Sequence, residues 1–178
     1  MRIAMTATIG LTTLALAACT NDRVETGMPV ANAMSATAML RTASGAAVGR
    51  ATAMDVAGGI RYTIDASAMP PGTHGAHIHT TGRCDAPDFA SAGGHWNPTA
   101  MKHGTMNPMG PHEGDLPNLI VGTGGRATLA VTVPGQTMAQ LLDADGAALV
   151  IHAGPDDLKT DPSGDSGGRI ACGVFMPS

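Results

Sequence analysis

Short runs that alternate apolar and polar residues, each closed by a turn dipeptide, most narrow what this 178-residue chain can become. In Thr37–Thr42, Gly49–Val56 and Ile60–Asp65 the side chains alternate in character, and Ser44-Gly45 and Gly58-Gly59 punctuate the runs. Successive side chains point to opposite faces in an extended strand, so this period of two predicts half-buried strands joined by hairpins. Ala76–Thr80, Leu119–Gly122, Ala127–Val133, Ala147–His152 and Ile170–Phe175 extend the series to about eight strands, and no segment has helical periodicity. The expected fold is all-β, an antiparallel sandwich or barrel in a single domain. Trp96, Tyr62, Phe89 and Phe175 are the only aromatic residues, so its core must be built from Val, Ile, Leu, Ala and Met.

Two stretches break the strand pattern, Thr81 to about Pro117 and Ala153 to Arg169. Irregular loops of that length are uncommon in a compact domain unless they have a function. They contain Cys84, a group of aspartates and three of the seven histidines, which suggests metal coordination as the ordering force. His77 and His79 lie two apart in a strand, so both imidazoles project from one face. A His-x-His pair alone is more often a surface or hydrogen-bonded structural pair than a metal site. His95, His103 and His112 follow at spacings of eight and nine, with Asp115 three residues on. Three imidazoles and a carboxylate form a closed tetrahedral set suited to zinc. His77, His79, His95 and His152 form an all-imidazole set suited to copper. Met101, Met106 and Met109 are soft thioethers in the first loop, candidates for weak Cu(I) binding or simple gap fillers.

The N-terminus has Arg2, then apolar residues and threonines from Ile3 to Ala18, ending Leu16-Ala17-Ala18-Cys19. The run is too short to span a bilayer and ends in small residues, so residues 1–18 read as a signal peptide. Leu-Ala-Ala-Cys also resembles a bacterial lipobox, in which the cysteine is lipidated; the alternative is ordinary cleavage with an incidental Cys19. Residues 19–35 then serve as a tether and 36–178 as the folded domain. An exported protein with Cys84 and Cys172 left over suggests a disulfide between them. With a net charge of −4 and no basic run, the chain is not expected to bind nucleic acid.

The blocks His74-Gly75-Ala76-His77-Ile78-His79, Ser91-Ala92-Gly93-Gly94-His95-Trp96-Asn97-Pro98, Lys102-His103-Gly104, His112-Glu113-Gly114-Asp115-Leu116, Leu149-Val150-Ile151-His152 and Gly168-Arg169-Ile170-Ala171-Cys172-Gly173-Val174 resemble the successive motifs of the copper,zinc superoxide dismutases. They occur in the family's order and span the chain from about Ala36 to its end.

The resemblance implies a Greek-key sandwich or barrel with two long functional loops. It implies copper on His77, His79, His95 and His152, and zinc on His95, His103, His112 and Asp115, with His95 bridging one ion of each kind per chain. It makes His74 a hydrogen-bonding support and Asp156 the carboxylate linking His77 to His103, with Asp157 beside it as the competing register. It pairs Cys84 with Cys172 and makes Arg169 the residue that receives anionic superoxide. Two superoxide ions and two protons would become dioxygen and hydrogen peroxide as copper cycles between Cu(II) and Cu(I). The implied location is the periplasm or cell envelope, with membrane attachment through Cys19; the sequence leaves a homodimer open. Trp96 stands where a different aromatic or an aliphatic residue is expected after the bridging histidine. Lys159 is the only basic residue of the loop Ala153–Gly168, against Asp156, Asp157, Asp161 and Asp165, which puts steering by that loop in doubt. The rival reading is an exported copper or zinc store or delivery module, which needs neither a bridging ligand nor a substrate arginine.

Overall fold

A computed structural model describes residues 35–178; the leader 1–18, Cys19 and the tether up to Met34 lie outside the described residues. Strands β1 (Ser35–Arg41), β2 (Ala47–Val56) and β3 (Gly59–Ala66) form an antiparallel meander. Val56 pairs with Gly59 across a two-residue turn, where Gly58 has a φ of +88° that favours glycine. The alternation read from the sequence is the burial pattern. Ala36, Ala38, Leu40, Ala51 and Ala53 face inward and are fully buried, as are Ile60 and Ile64. Alanines of β1 and β2 face one another in register, Ala36 with Ala53 and Ala38 with Ala51. Small side chains on these two strands leave room for large ones from elsewhere, among them Tyr62, Leu116, Leu119, Leu149 and Ile151.

The remaining strands are β4 (Gly72–His74), β5 (Ala76–His79), β6 (Leu119–Val121), β7 (Ala127–Pro134), β8 (Ala148–His152) and β9 (Arg169–Pro177), with a one-turn helix α1 (Met138–Leu141). Seven strands make one curled antiparallel sheet in the order β5-β8-β9-β1-β2-β3-β7, and β4 pairs with β6. Three elements went unforeseen, a 3-10 turn at Ala90–Ala92 and the two that follow. Strand β4 is three residues long and follows Pro70-Pro71, so it reads as a turn. Helix α1 is too short for periodicity, although its capping box of Thr137 and Gln140 is a legible start signal.

Strand β8 is buried along its whole length, because both of its faces are covered. Leu149 and Ile151 join the main core, whereas Ala148 and Val150 pack under the first loop with Phe89, Ala92 and Cys172. The same division holds in β5, where Ala76 and Ile78 join the core. His77 and His79 therefore point to the face the first loop covers. The loop is also stapled to the sheet. Ile78 N–H donates to the Gly114 carbonyl, Trp96 N–H to the Ile78 carbonyl and Gly114 N–H to the Trp96 carbonyl, at 2.8–2.9 Å. These bonds satisfy the edge of β5 and bring His95 and Asp115 beside His79 and His77.

Cys84 and Cys172 form a disulfide with a Cα–Cα distance of 5.7 Å, closing a separation of 88 residues. It ties the start of the first loop to β9. Replacing both cysteines with serine is expected to lower unfolding free energy by about 2–5 kcal/mol, since the unfolded chain regains the entropy of a long open loop. Urea unfolding of oxidised wild type beside the double variant measures this; equal midpoints and slopes would show the bridge to be energetically idle.

Candidate metal centre

The two ligand sets expected from the sequence are each brought together. His77, His79, His95 and His152 are buried with ligand nitrogens within 4.8 Å of one another, and so are the ligand atoms of His95, His103, His112 and Asp115. Regular structure positions the first set: His77 and His79 sit on β5, and His152 ends β8 with its N–H on the Gly75 carbonyl.

In the first set each strand histidine has one ring nitrogen engaged and one bare. His77 Nε2 lies 2.8 Å from Asp156 Oδ2, His79 Nδ1 2.9 Å from the Gly93 carbonyl and His152 Nδ1 3.1 Å from the Gly167 carbonyl. Those partners accept, so the engaged nitrogens carry the protons and the opposite nitrogens carry lone pairs. The opposite atoms, His77 Nδ1, His79 Nε2 and His152 Nε2, are buried without a partner, as is His95 Nε2. Four unpartnered buried lone pairs facing one point are costly in a protein interior unless a cation uses them. Burial pushes the imidazoles of His77 and His152 down to about 4, the first against the opposing pull of Asp156, and pushes His79 further down. At neutral pH all three are unprotonated, the form that binds a metal.

The second set closes around Asp115. Its Oδ1 lies 2.9 Å from His95 Nδ1, 3.0 Å from His103 Nδ1 and 3.3 Å from His112 Nδ1, and the Nδ1 atoms of His112 and His95 are 3.5 Å apart. A zinc ion bound at 2.0–2.1 Å in a tetrahedron has ligand-to-ligand edges of about 3.3 Å. Asp115 Oδ2 meanwhile accepts the N–H groups of Gly104 and His112 at 2.8 and 2.9 Å, which aims Oδ1 at the imidazoles. Burial alone would raise the Asp115 carboxyl, but hydrogen bonds from His103, His95 and Gly104 outweigh it and hold the group well below the usual carboxylate range. Both donor sets thus fit divalent ions, and His95 belongs to both, Nδ1 to one and Nε2 to the other.

Asp156, His77 and His103 also cluster, but as a link between the two sets. His77 Nδ1 and His103 Nδ1 face the two ligand sets, so the Nε2 atoms bear the protons that Asp156 accepts, at 2.8 Å on Oδ2 and 2.9 Å on Oδ1. Such an outer carboxylate fixes ring orientation. Burial opposes charging His103, yet Asp115 and Asp156 raise it to about 9. Asp157 makes neither contact; its carboxylate caps the turn at Lys159 and Thr160. His74 supports the site without facing either set, its ring nitrogens on the carbonyls of His152 and Pro70 at 2.8 and 2.9 Å.

Arg169 shares the rim of a cleft of about 430 Å³ with His79, His95 and His152. Two of its donors are held at 2.7 Å, NH1 by the Phe89 carbonyl and NH2 by the Gly93 carbonyl. Gly93 O thus orients both Arg169 and His79. Burial lowers the guanidinium pKa, from an ordinary value so high that the charge persists.

Several residues that shape the site carried no sequence signal as such. The Asn118 side chain pairs with both backbone groups of Asp156 at 2.8 Å, and Asp161 takes the His103 N–H at 2.9 Å and Lys102 Nζ at 3.0 Å. Asp156, Asp157 and Asp161 are therefore engaged in holding loops, and those contacts keep their carboxylates ionised. Trp96 is buried in the main core. Met101, Met106 and Met109 are exposed.

The family described as copper/zinc superoxide dismutase (SODC) matches residues 46–175. Superoxide dismutase [Cu-Zn] 1 of Aquifex aeolicus is 46% identical over 136 residues, covering 73% of this chain and 80% of that protein. Superoxide dismutase [Cu-Zn] of Caulobacter vibrioides is 40% identical over 148 residues, covering 79% and 85%. Among solved structures, Cu/Zn superoxide dismutase from Brucella abortus superposes with a TM-score of 0.66 at 28% identity, covering 80% of this chain and 99% of that one.

Proposed function

This chain belongs to the copper/zinc superoxide dismutase family, and from that premise we propose how its residues divide the work of the enzyme. The protein is a superoxide dismutase, an oxidoreductase that uses copper and zinc. Copper would be held by His77 Nδ1, His79 Nε2, His95 Nε2 and His152 Nε2, and zinc by the Nδ1 atoms of His95, His103 and His112 with Asp115 Oδ1. The observation that carries this division is the set of four buried, unpartnered imidazole nitrogens, one of them on the ring whose other nitrogen faces Asp115.

When bound, copper supplies one-electron exchange with superoxide, and zinc supplies a redox-inert positive charge. Arg169, fixed by two carbonyls at the cleft rim, draws in the anion and orients it with its remaining donors. His95 Nε2, at moments when it is not a copper ligand, would hold one of the two protons the product needs, the second coming from solvent, while Nδ1 stays beside Asp115. Asp156 keeps the rings of His77 and His103 aimed as the charge changes. Purified protein reconstituted with both metals should contain one copper and one zinc per chain by elemental analysis. A single ion at saturation would refute the two-site division.

Residues 1–18 act as a signal peptide, Cys19 carries the lipid and the residues from there to Met34 form a tether, placing the enzyme in the periplasm or cell envelope on a membrane. The sequence pattern supports this, as does the Cys84–Cys172 bridge, which suits an oxidising compartment. A homodimer is the proposed assembly, supported by Met39, Met54 and Met176, exposed on the neighbouring strands β1, β2 and β9. Cys19→Ser is expected to remove the lipidated form from membrane fractions, because the thiol is the attachment atom. Wild-type protein found unmodified and wholly soluble would eliminate the anchor and leave the enzyme untouched.

A further inference from the structure

The geometry points to Gln136 as a positioning residue for the zinc ligands: we infer that it locks the peptide between His112 and Asp115 from the core side. The inference rests on the assignment of His112 and Asp115 to zinc. Gln136 is 2% exposed, a polar side chain beside an otherwise apolar core. Burying an amide is unfavourable unless both its ends are hydrogen-bonded, and here both are. Nε2 donates to the Glu113 carbonyl, and Oε1 accepts from the Tyr62 hydroxyl at 2.7 Å. A backbone carbonyl only accepts, so the NH2 must face Glu113 and the phenol must be the donor. Burial, and then the Glu113 carboxylate, push the Tyr62 phenol well above its ordinary pKa, so it remains a donor at every working pH.

The platform under Gln136 is rigid. It directly precedes Thr137, the N-cap of α1, where the Thr137 and Gln140 side chains cap each other's backbone N–H groups. Met138 and Leu141 of that helix are buried in the main core. On the other side, the Gly114 N–H of the same peptide donates to the Trp96 carbonyl at 2.8 Å. One peptide plane is thus gripped at its carbonyl by Gln136 and at its N–H by Trp96, between two zinc ligands. The copper histidines of β5 and β8 are placed by regular sheet pairing and do not depend on that carbonyl. Of the copper ligands only His95 lies in the gripped loop, so loss of Gln136 should weaken zinc more than copper.

The test uses Gln136→Met, close in shape but without the amide, and Tyr62→Phe, which removes only the far hydroxyl. Metal-free proteins are titrated with Zn(II) and with Cu(II) against a competing chelator, and Co(II) absorption reports the geometry of the zinc set. Outer partners of metal ligands are worth roughly 10–100-fold in affinity, and Gln136 acts through backbone, so Gln136→Met should weaken zinc by about 10-fold. Tyr62→Phe should shift zinc in the same direction by less, and both variants should weaken copper by less than they weaken zinc. If Gln136→Met does not fold, the zinc shift in Tyr62→Phe decides. Unchanged zinc binding in every folded variant, or equal losses of copper and zinc, would overturn the positioning role. Wild type that takes no zinc at these residues would instead sink the ligand assignment, and the role of Gln136 with it.

Discussion

Replacing His95 with alanine is expected to cut superoxide turnover by at least about 100-fold, the lower range of what a positioned proton carrier supplies. No other side chain belongs to both ligand sets. Its Nδ1 lies 2.9 Å from Asp115 Oδ1, and its Nε2 is buried with no partner of its own. Its ring stacks on His77 with centroids 3.9 Å apart, so the substitution also opens a gap beside a copper ligand. Alanine removes one donor from each metal and the atom proposed to hold the proton. The copper resonance in electron paramagnetic resonance should then lose its sensitivity to whether zinc is present. The variant would disprove the bridge if it kept both metals, that coupling and the wild-type rate.

The second large effect belongs to Arg169. Superoxide is an anion approaching a chain of net charge −4, so a local positive site must favour its arrival. At 4 Å a unit charge pair is worth about 1 kcal/mol in water and about 4 kcal/mol at an effective dielectric of 20, so a half-buried cation at a cleft rim counts for more than a fully solvated one. Arg169 is also pre-oriented, because the Phe89 and Gly93 carbonyls hold two of its donors. Arg169→Ala should keep both metals and lose on the order of 10- to 100-fold in rate, within the range that electrostatic focusing contributes. Arg169→Lys should fall between, since the charge survives without the planar fork, and Arg169→Glu should be slowest. Added salt should slow wild type more than Arg169→Ala, because screening acts on the attraction that the variant lacks. Four equal rates at equal metal content would take Arg169 out of the mechanism.

Much of this architecture is legible in the amino-acid sequence. Alternation marked β1, β2 and β3, where one face meets the core and the other meets water; histidine spacings marked the pair His77 and His79 and the loop group, and the family resemblance added His152 and the sharing of His95. The run Leu149-Val150-Ile151 was legible as a strand too, though its two-sided burial depends on the first loop folding over it. What stayed hidden acts through the backbone. The Gly93 carbonyl orients His79 and Arg169, the Glu113 carbonyl receives Gln136, and Asn118 grips the amide and carbonyl of Asp156. Every residue offers a carbonyl, so residue type cannot mark which one is used. Asp161 shows the converse: its charge is legible in the sequence, but its partners Lys102 and the His103 N–H, which make it a tie between the two loops, are not.

The most direct test of the whole account is superoxide consumption by the purified protein as copper is added to the zinc-loaded form. Turnover should be absent without copper, rise in proportion to copper bound and stop rising at one copper per chain. Copper bound at His77, His79, His95 and His152 with no turnover above that of buffer would contradict the account and leave a metal store in the same fold.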